Sequence, residues 1–335
     1  MRRSLVLLGL CGACAPSPDA TDAVDLLVEV DGVLHLGRSG RAELTVLEEL
    51  EPGADAVWSP GGDRIARVDD ARGIRVLDLG GTPPSDELVL APASKADQLA
   101  WSPDGLRIAF REEPDAPAGL DGQREYELAV VATDGSAPVR LSQTADVTER
   151  WPTWSADGRF VAVSADRLQL YTIDGELGPA FAVAPERVAW SADGSRLLVL
   201  GDDGLVFVDV ATGQTEAVTS AIAFAWFEPD DAIAVGVVRR GEGGELSCDV
   251  GVLGEADERP RPIATAPAGA CYRPLEWSPD GRRLLVSVSW WRGPVHRDTQ
   301  DTPPELLVVD ADGSNARTLA RGADWTSELR GHWRP

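Results

Sequence analysis

The 335-residue chain has almost no lysine and little histidine, and its 31 lysines and arginines, nearly all arginine, are outnumbered by acidic residues. It contains one lysine, Lys95, and three histidines, His35, His296 and His332, against 55 aspartates and glutamates. Its formal net charge of −24 argues against nucleic acid or an anionic membrane surface as the main partner. The acidic surface either keeps the protein soluble or forms an acidic recognition patch.

The sequence also lacks the short motifs of common enzymes. It has no Gly-x-Ser-x-Gly elbow, no His-Glu-x-x-His, no phosphate loop and no dinucleotide-binding glycine pattern. The cysteines and histidines do not have zinc-site spacing, and Asp310–Gly313 lacks the ligand pattern of an EF-hand. We therefore expect no catalytic residues, no resident metal and no cofactor, and we interpret His35 and His332 as structural.

The N-terminus has the pattern of an export signal. Two arginines precede the short apolar run Ser4–Leu10, which is too short to span a bilayer, and no later segment is apolar enough to do so. The step from Ala13 to Cys14 resembles a bacterial lipoprotein box, which implies a signal peptide over 1–13 and lipidation of Cys14. Residues 14–23 then form a flexible tether, and 24–335 form one folded domain. The alternative is ordinary cleavage without a lipid.

A hairpin unit recurs along the chain. Leu99–Phe110 is an apolar strand that ends at a tryptophan, a Ser-Pro-Asp-Gly turn and a second strand. The intervals between successive copies run from 36 to 56 residues, a range typical of repeat architectures. The tryptophans that mark the copies are Trp58, Trp101, Trp154, Trp190, Trp226, Trp277 and Trp333.

The unit resembles the TolB-type, WD-like β-propeller repeat. Its later part, an apolar strand, an Asp-Gly turn and a fourth strand, is visible in Leu128–Ser142 and Leu306–Ala320. The resemblance implies an all-β propeller of four-stranded antiparallel blades in which the repeat tryptophans pack blade against blade. It also implies a function like that of TolB-like propellers, which act in the periplasm as interaction scaffolds for envelope proteins.

The two ends of the chain predict how the ring closes. Asp25–Val30 begins a blade that has no tryptophan-ending inner strand before it, and His332–Pro335 is an inner strand with no blade after it. Pairing the two removes exposed sheet edges and gives seven blades.

The longest insertions should lie on one face of the ring, where repeat folds usually bind. The loop that begins after the second strand of blade seven has the tryptophan and arginine content of an interaction surface. Its candidate partner-binding residues are Trp290, Trp291, Arg292, His296 and Arg297. The alternative is that Trp290 ends the strand and packs inside, while Trp291 caps a neighbouring blade.

The remaining cysteines predict a disulfide. Export places the chain where disulfides persist, and after processing at Cys14 only Cys248 and Cys271 are left. Cys248 is expected near the start of the third strand of blade six, and Cys271 in the loop from blade six to blade seven. Two free, buried thiols are the alternative.

Together these expectations describe a monomeric, lipid-anchored protein on the periplasmic or cell-surface side of a bacterial membrane, the outer membrane among the candidates. It would bind an envelope protein and contact the membrane through its lipid only. The competing hypothesis is a hydrolase or lyase that acts on a small molecule or glycan through the axial channel, with a bound calcium ion.

Overall fold

The computed structural model describes residues 25–38, 43–49, 55–69, 73–81, 85–90, 95–113, 126–142, 150–254, 257–290, 302–324 and 329–335. These residues form 28 β-strands and one short 3-10 helix, Glu228–Asp230. The strands fall into seven antiparallel sets of four, which we call blades 1 to 7. This grouping fits the seven inner strands expected from the tryptophan positions.

The strand bounds follow the repeat. Blade 1 is β1 (Leu26–Val30), β2 (Val33–Arg38), β3 (Glu43–Glu49) and the C-terminal β28 (Leu329–Trp333); blade 2 is β4 (Ala56–Trp58), β5 (Arg64–Val68), β6 (Ile74–Asp78) and β7 (Ser85–Leu90); blade 3 is β8 (Lys95–Trp101), β9 (Arg107–Glu113), β10 (Glu127–Ala132) and β11 (Val139–Arg140); blade 4 is β12 (Arg150–Trp154), β13 (Phe160–Ser164), β14 (Leu168–Thr172) and β15 (Leu177–Phe181). Blade 5 is β16 (Pro185–Trp190), β17 (Arg196–Gly201), β18 (Gly204–Asp209) and β19 (Thr215–Thr219); blade 6 is β20 (Ala223–Phe227), β21 (Ala232–Arg240), β22 (Leu246–Leu253) and β23 (Arg261–Ala264); blade 7 is β24 (Ala270–Trp277), β25 (Arg283–Trp290), β26 (Glu305–Asp310) and β27 (Arg317–Arg321).

The first and last strands close the ring as predicted. β28 pairs antiparallel with β1 from Leu26↔Trp333 to Val30↔Leu329, so that the last strand of the chain is the inner strand of blade 1. This pairing satisfies the backbone groups that either strand would otherwise expose at a sheet edge.

The second strand of each blade is sandwiched between neighbouring blades. In β25, Leu284, Leu285 and Val286 are all fully buried although successive side chains point to opposite faces. Leu284 and Val286 join the core cluster that contains Trp277, whereas Leu285 joins the cluster that contains Trp333. Packing on both faces explains why these strands are apolar throughout rather than alternating.

The Ser-x-Asp-Gly turns have one construction. In the turn at Ser191, the serine hydroxyl donates to Asp193 Oδ1 (2.7 Å) and accepts from the backbone N–H of Arg196 (2.9 Å). The backbone N–H of Ser195 and the hydroxyls of Ser191 and Ser195 lower the pKa of Asp193 to about 2. Gly194 follows at φ +70°, which glycine adopts without steric cost.

Candidate functional site

Five of the seven repeat tryptophans link their blade to the one before it. Five indole N–H groups donate to the backbone carbonyl of the residue that precedes the previous blade's tryptophan. These bonds hold neighbouring inner strands at matching heights. They run from Trp101 to Val57 (3.2 Å), Trp154 to Ala100 (3.0 Å), Trp190 to Thr153 (3.3 Å), Trp277 to Ala225 (3.0 Å) and Trp333 to Glu276 (3.1 Å).

Two tryptophans depart from this pattern. Trp226, which is followed by the 3-10 helix Glu228–Asp230 instead of a serine-initiated turn, donates to Asp231 Oδ1 within its own blade (3.0 Å). Trp58 is buried, and its Nε1 has no hydrogen-bond partner among the described residues. The series of bonds is therefore interrupted between blades 5 and 6 and between blades 1 and 2.

A second set of equivalent positions lies three residues before each repeat tryptophan, and we call it the axial ring. The fold repeats the tryptophan but not the residue at this position, so packing alone does not dictate its identity. That divergence is the sequence signal that could have revealed these positions. They are occupied by Asp55, Gln98, Trp151, Arg187, Ala223, Pro274 and Arg330.

One part of the axial ring is an ion-pair network. Arg330, on β28, lies 3.6 Å from Asp55 Oδ1 and 3.7 Å from the buried Glu29. The other oxygen of Asp55 accepts the backbone N–H of Leu99 (2.7 Å). The network thus connects blades 1, 2 and 3.

His332 and Glu276 continue this charged region at the positions just before two repeat tryptophans. His332 Nδ1 lies 3.2 Å from Glu276 Oε2, and each side chain keeps 40% of its surface exposed. Desolvation alone would lower the pKa of His332. The positive charge of Arg187 also lowers it. The hydrogen bond to Glu276 and the negative charges of Glu276 and Asp55 outweigh these two effects, so that the pKa of His332 is raised. His332, expected to be structural, therefore belongs to a solvent-accessible charged cluster.

The opposite part of the ring presents an aromatic side chain on an unusual backbone. Trp151 is 54% exposed and has φ +54°, which is rare for a bulky residue. Its backbone N–H donates to Gln98 Oε1 (2.6 Å), and the register of β12 against β13 shifts at this point. Such backbone conformations cost of order 1–3 kcal/mol and cluster at binding and active sites.

The loop residues chosen from the sequence fall mostly outside the described residues. Trp291, Arg292, His296 and Arg297 lie there, as do Cys14 and the whole of 1–24. Trp290 is the last residue of β25, pairs with Ala270 and packs against the cluster around Trp277. Its position agrees with the packing alternative, and the loop as a partner site stays a prediction.

The structure contains the disulfide between Cys248 and Cys271. Their Cα atoms are 4.3 Å apart, and the two residues form the parallel bridge between β22 and β24 that joins blades 6 and 7 into one eight-stranded sheet. Cys248 lies in the third strand of blade 6, as expected. Cys271 lies in β24 and not in the preceding loop, because the inner strand of blade 7 already begins at Ala270.

Metal-binding and membrane-spanning features were searched within the described parts of the chain. No group of three or more histidine, cysteine, aspartate or glutamate side chains there could hold a metal ion. No helix in the same parts has the length and apolar character needed to cross a membrane.

Comparison with solved structures identifies the fold. No protein-family model and no curated protein sequence matches the chain. A puromycin-hydrolysing peptidase from Mycobacterium tuberculosis superimposes with a TM-score of 0.64 at 15% identity, over 90% of this chain and 52% of the peptidase. TolB from Acinetobacter baumannii superimposes with a TM-score of 0.52 at 15% identity, over 94% of this chain and 68% of TolB.

The fold is a TolB-type β-propeller. A dihydro-heme d1 dehydrogenase also superimposes, with a TM-score of 0.54 at 14% identity, over 94% of this chain and 77% of the enzyme. The propeller spans about half the length of the puromycin-hydrolysing peptidases that it matches. At these identities the likeness concerns the fold, on which unrelated functions occur.

Proposed function

We propose that this propeller is an exported, lipid-anchored protein that binds a protein partner in the bacterial envelope and does not catalyse a reaction. The proposal includes a signal peptide over 1–13, a lipid on Cys14, a tether to residue 23 and one propeller domain over 24–335. The TolB-like repeat supports a scaffold role. The observation that carries the binding role is the axial ring, where the repeat gives way to unlike residues around an exposed, strained Trp151.

The axial ring has the composition of a binding surface. Tryptophan and arginine dominate interaction hot spots, and Trp151, Arg187 and Arg330 occupy three of its seven positions. Within the ring Asp55 pairs with Arg330, and beside it Glu276 pairs with His332. Such pairs fix the orientation and specificity of a partner more than they add affinity.

Site-specific cross-linking tests the binding role. A photoreactive phenylalanine at position 151 should capture a specific envelope protein in intact cells, whereas the same group at Leu177 should not. Leu177 is a suitable control because it is 72% exposed and lies on the outer strand β15. Equal capture from both positions, or capture from neither, would contradict the proposal.

The loop after β25 and the lipid anchor have separate tests. Charge reversal at both Arg292 and Arg297 should abolish capture without changing the melting temperature if the loop contributes to the partner surface. Cys14→Ser should move the protein from the membrane to the soluble fraction, since a lipid anchor needs the thiol. A wild-type protein that is already fully soluble in the periplasm would refute the anchor.

The enzyme hypothesis rests on the puromycin-hydrolysing peptidases among the structural neighbours, and this chain matches about half of each. Of the two histidines in the described residues, His332 bonds Glu276, and His35 Nδ1 is buried without a partner. Neither is bonded to a serine or cysteine, so that no nucleophile and base pair is assembled there. Hydrolysis of aminoacyl amide substrates by the purified protein would favour the enzyme over the scaffold.

A further inference from the structure

Arg187, on β16 of blade 5, extends inside the ring to the inner strand of blade 7. Its Nη2 donates to the backbone carbonyl of Leu275 (2.9 Å), and its guanidinium carbon lies 5.4 Å from the centre of the Phe224 ring in blade 6. The register of β24 against β25 shifts between Pro274 and Glu276, so that Leu275 is the extra residue of a bulge. Because a bulge leaves its extra residue unpaired in the ladder, the carbonyl of Leu275 can accept from Arg187.

Glu276 follows Leu275 on β24 and lies in the same part of the ring. Its Oε2 is 3.2 Å from Nδ1 of His332 on β28, and 40% of its side-chain surface is exposed. Desolvation lowers the pKa of Arg187, and the charge of Glu276 opposes this shift. Desolvation and the charge of Arg187 both oppose the rise in the pKa of His332. The hydrogen bonds and these mutual charge effects bring together three side chains from blades 5, 7 and 1.

Arg187 and Glu276 have opposite charges but do not form an ion pair. No N–O distance between the two groups is 4.0 Å or shorter, whereas Arg330 lies 3.6 Å from Asp55. Among the described residues, the carbonyl of Leu275 is the one hydrogen-bond acceptor for a guanidinium that has five N–H donors. Solvent reaches both side chains. A cation and an anion thus lie near each other with donors and an oxygen available to a ligand between them.

This arrangement favours a ligand that carries both charges. A ligand with only a negative charge would be attracted to Arg187 and repelled by Glu276, and a ligand with only a positive charge would be attracted and repelled in the opposite way. Such unfavourable pairings exclude ligands as effectively as favourable ones select them.

We propose that Arg187 and Glu276 form a binding site for an α-amino acid, whose carboxylate bonds the guanidinium and whose ammonium group bonds Oε1 of Glu276. The guanidinium matches the planar carboxylate in a bidentate geometry that lysine cannot reproduce. A single carbon separates the two charged groups of an α-amino acid, so that the ligand can bridge a gap that is too wide for a direct ion pair. The site lies between blades 5 and 7 and goes beyond the proposed binding of a protein partner around Trp151 on blade 4.

Isothermal titration calorimetry with three small probes tests the site in the full-length protein. The probes are L-alanine, N-acetyl-L-alanine, which lacks the ammonium charge, and L-alaninamide, which lacks the carboxylate. The titrations are made at about pH 6.5, below the pKa of an α-amino group. Each derivative should bind about 10- to 100-fold more weakly than alanine, which is the usual effect of losing a charge-assisted hydrogen bond.

Variants assign each charge to its residue. In Arg187→Gln, alanine should bind no more tightly than alaninamide, and in Glu276→Gln it should bind no more tightly than N-acetylalanine. Because the two variants should lose preference over different derivatives, general misfolding cannot produce this pattern. The matched controls are Arg159→Gln, at a residue 74% exposed in a Ser-Ala-Asp-Gly turn, and Glu216→Gln, at an exposed residue of the outer strand β19. Both controls should leave the three affinities unchanged.

Three results would overturn the inference: no binding of alanine at millimolar concentrations, equal binding of alanine and either derivative to the wild type, or unchanged preferences in either site variant. Tighter binding of N-acetylalanine than of alanine would assign the site to a simple anion and would also overturn it. Cross-linking from position 151 judges the proposed function separately. Capture of a partner there without binding of alanine would leave the scaffold in place and remove the amino-acid site.

Discussion

Trp333, at the end of the last strand, donates its indole N–H to the backbone carbonyl of Glu276 in blade 7 (3.1 Å). The same strand pairs along its length with β1, at the beginning of the folded chain. Blade 1 is thereby held to blade 7 by the chain's C-terminus, which makes the last five residues a structural element of the ring.

Deleting Gly331–Pro335 should lower the melting temperature by roughly 6 °C or more and cause aggregation. Loss of a buried tryptophan alone costs about 3–5 kcal/mol, and 1 kcal/mol shifts the melting temperature of a large domain by about 2–4 °C. Scanning calorimetry measures the change. Removing only Arg334 and Pro335 leaves β28 intact and should have a smaller effect, so that equal losses from the two truncations would contradict this role for the strand.

The interrupted series of indole bonds predicts different costs for two chemically identical substitutions. Trp101→Phe removes a bond to Val57, whereas Trp58→Phe removes an indole N–H that has no partner among the described residues. Both side chains are 7–8% exposed, so that the change in packing is similar. We expect Trp101→Phe to cost about 1 kcal/mol more free energy of unfolding in urea titrations. Equal costs would show that the bond contributes nothing.

The disulfide should stabilise the junction of blades 6 and 7. It closes a loop with a sequence separation of 23 residues, for which loop-entropy arguments give roughly 3 kcal/mol. The double variant Cys248→Ser/Cys271→Ser should therefore melt at a lower temperature than the wild type, and reductant should lower the melting temperature of the wild type alone. Alkylation of both cysteines in unreduced protein would refute the bond in the exported chain.

His332 should make stability depend on pH as the pH rises above about 6.5. Desolvation and the charge of Arg187 lower its pKa in the folded protein, but Glu276 and Asp55 raise it by more. Folding therefore favours the protonated form. The resulting stabilisation is fully present below the unfolded pKa, about 6.5, and is lost as pH rises through the higher folded pKa. Glu276→Gln should reduce this dependence in thermal melts recorded between mildly acidic and mildly alkaline pH. Identical pH profiles for the two proteins would rule out the coupling.

The sequence by itself determined the repeat and hence most of the architecture. Each Trp-Ser-x-Asp-Gly segment is a local signal, because the tryptophan ends a strand and the glycine provides a positive φ within a few residues of chain. The repeat also predicted the β1–β28 pairing, because it leaves an incomplete blade at one end of the chain and an unpaired inner strand at the other. The disulfide partners Cys248 and Cys271 followed from counting cysteines in an exported chain. These inferences need only local backbone preferences and the requirement that a ring have no open edge.

Only the tertiary structure decided which side chains meet inside the ring. Arg187 contacts Leu275 across a sequence separation of 88 residues, and Asp55 meets Arg330 from the opposite end of the chain. The left-handed backbone at Trp151 is equally invisible in the sequence, since its partner Gln98 belongs to another blade. The repeat fixes the height of each inner strand, but the position three residues before its tryptophan varies from the buried Ala223 and Pro274 to the exposed Trp151 and Arg187. The contacts of the side chains at this position are therefore known only from the tertiary structure, which brings blades that are distant in sequence around one axis.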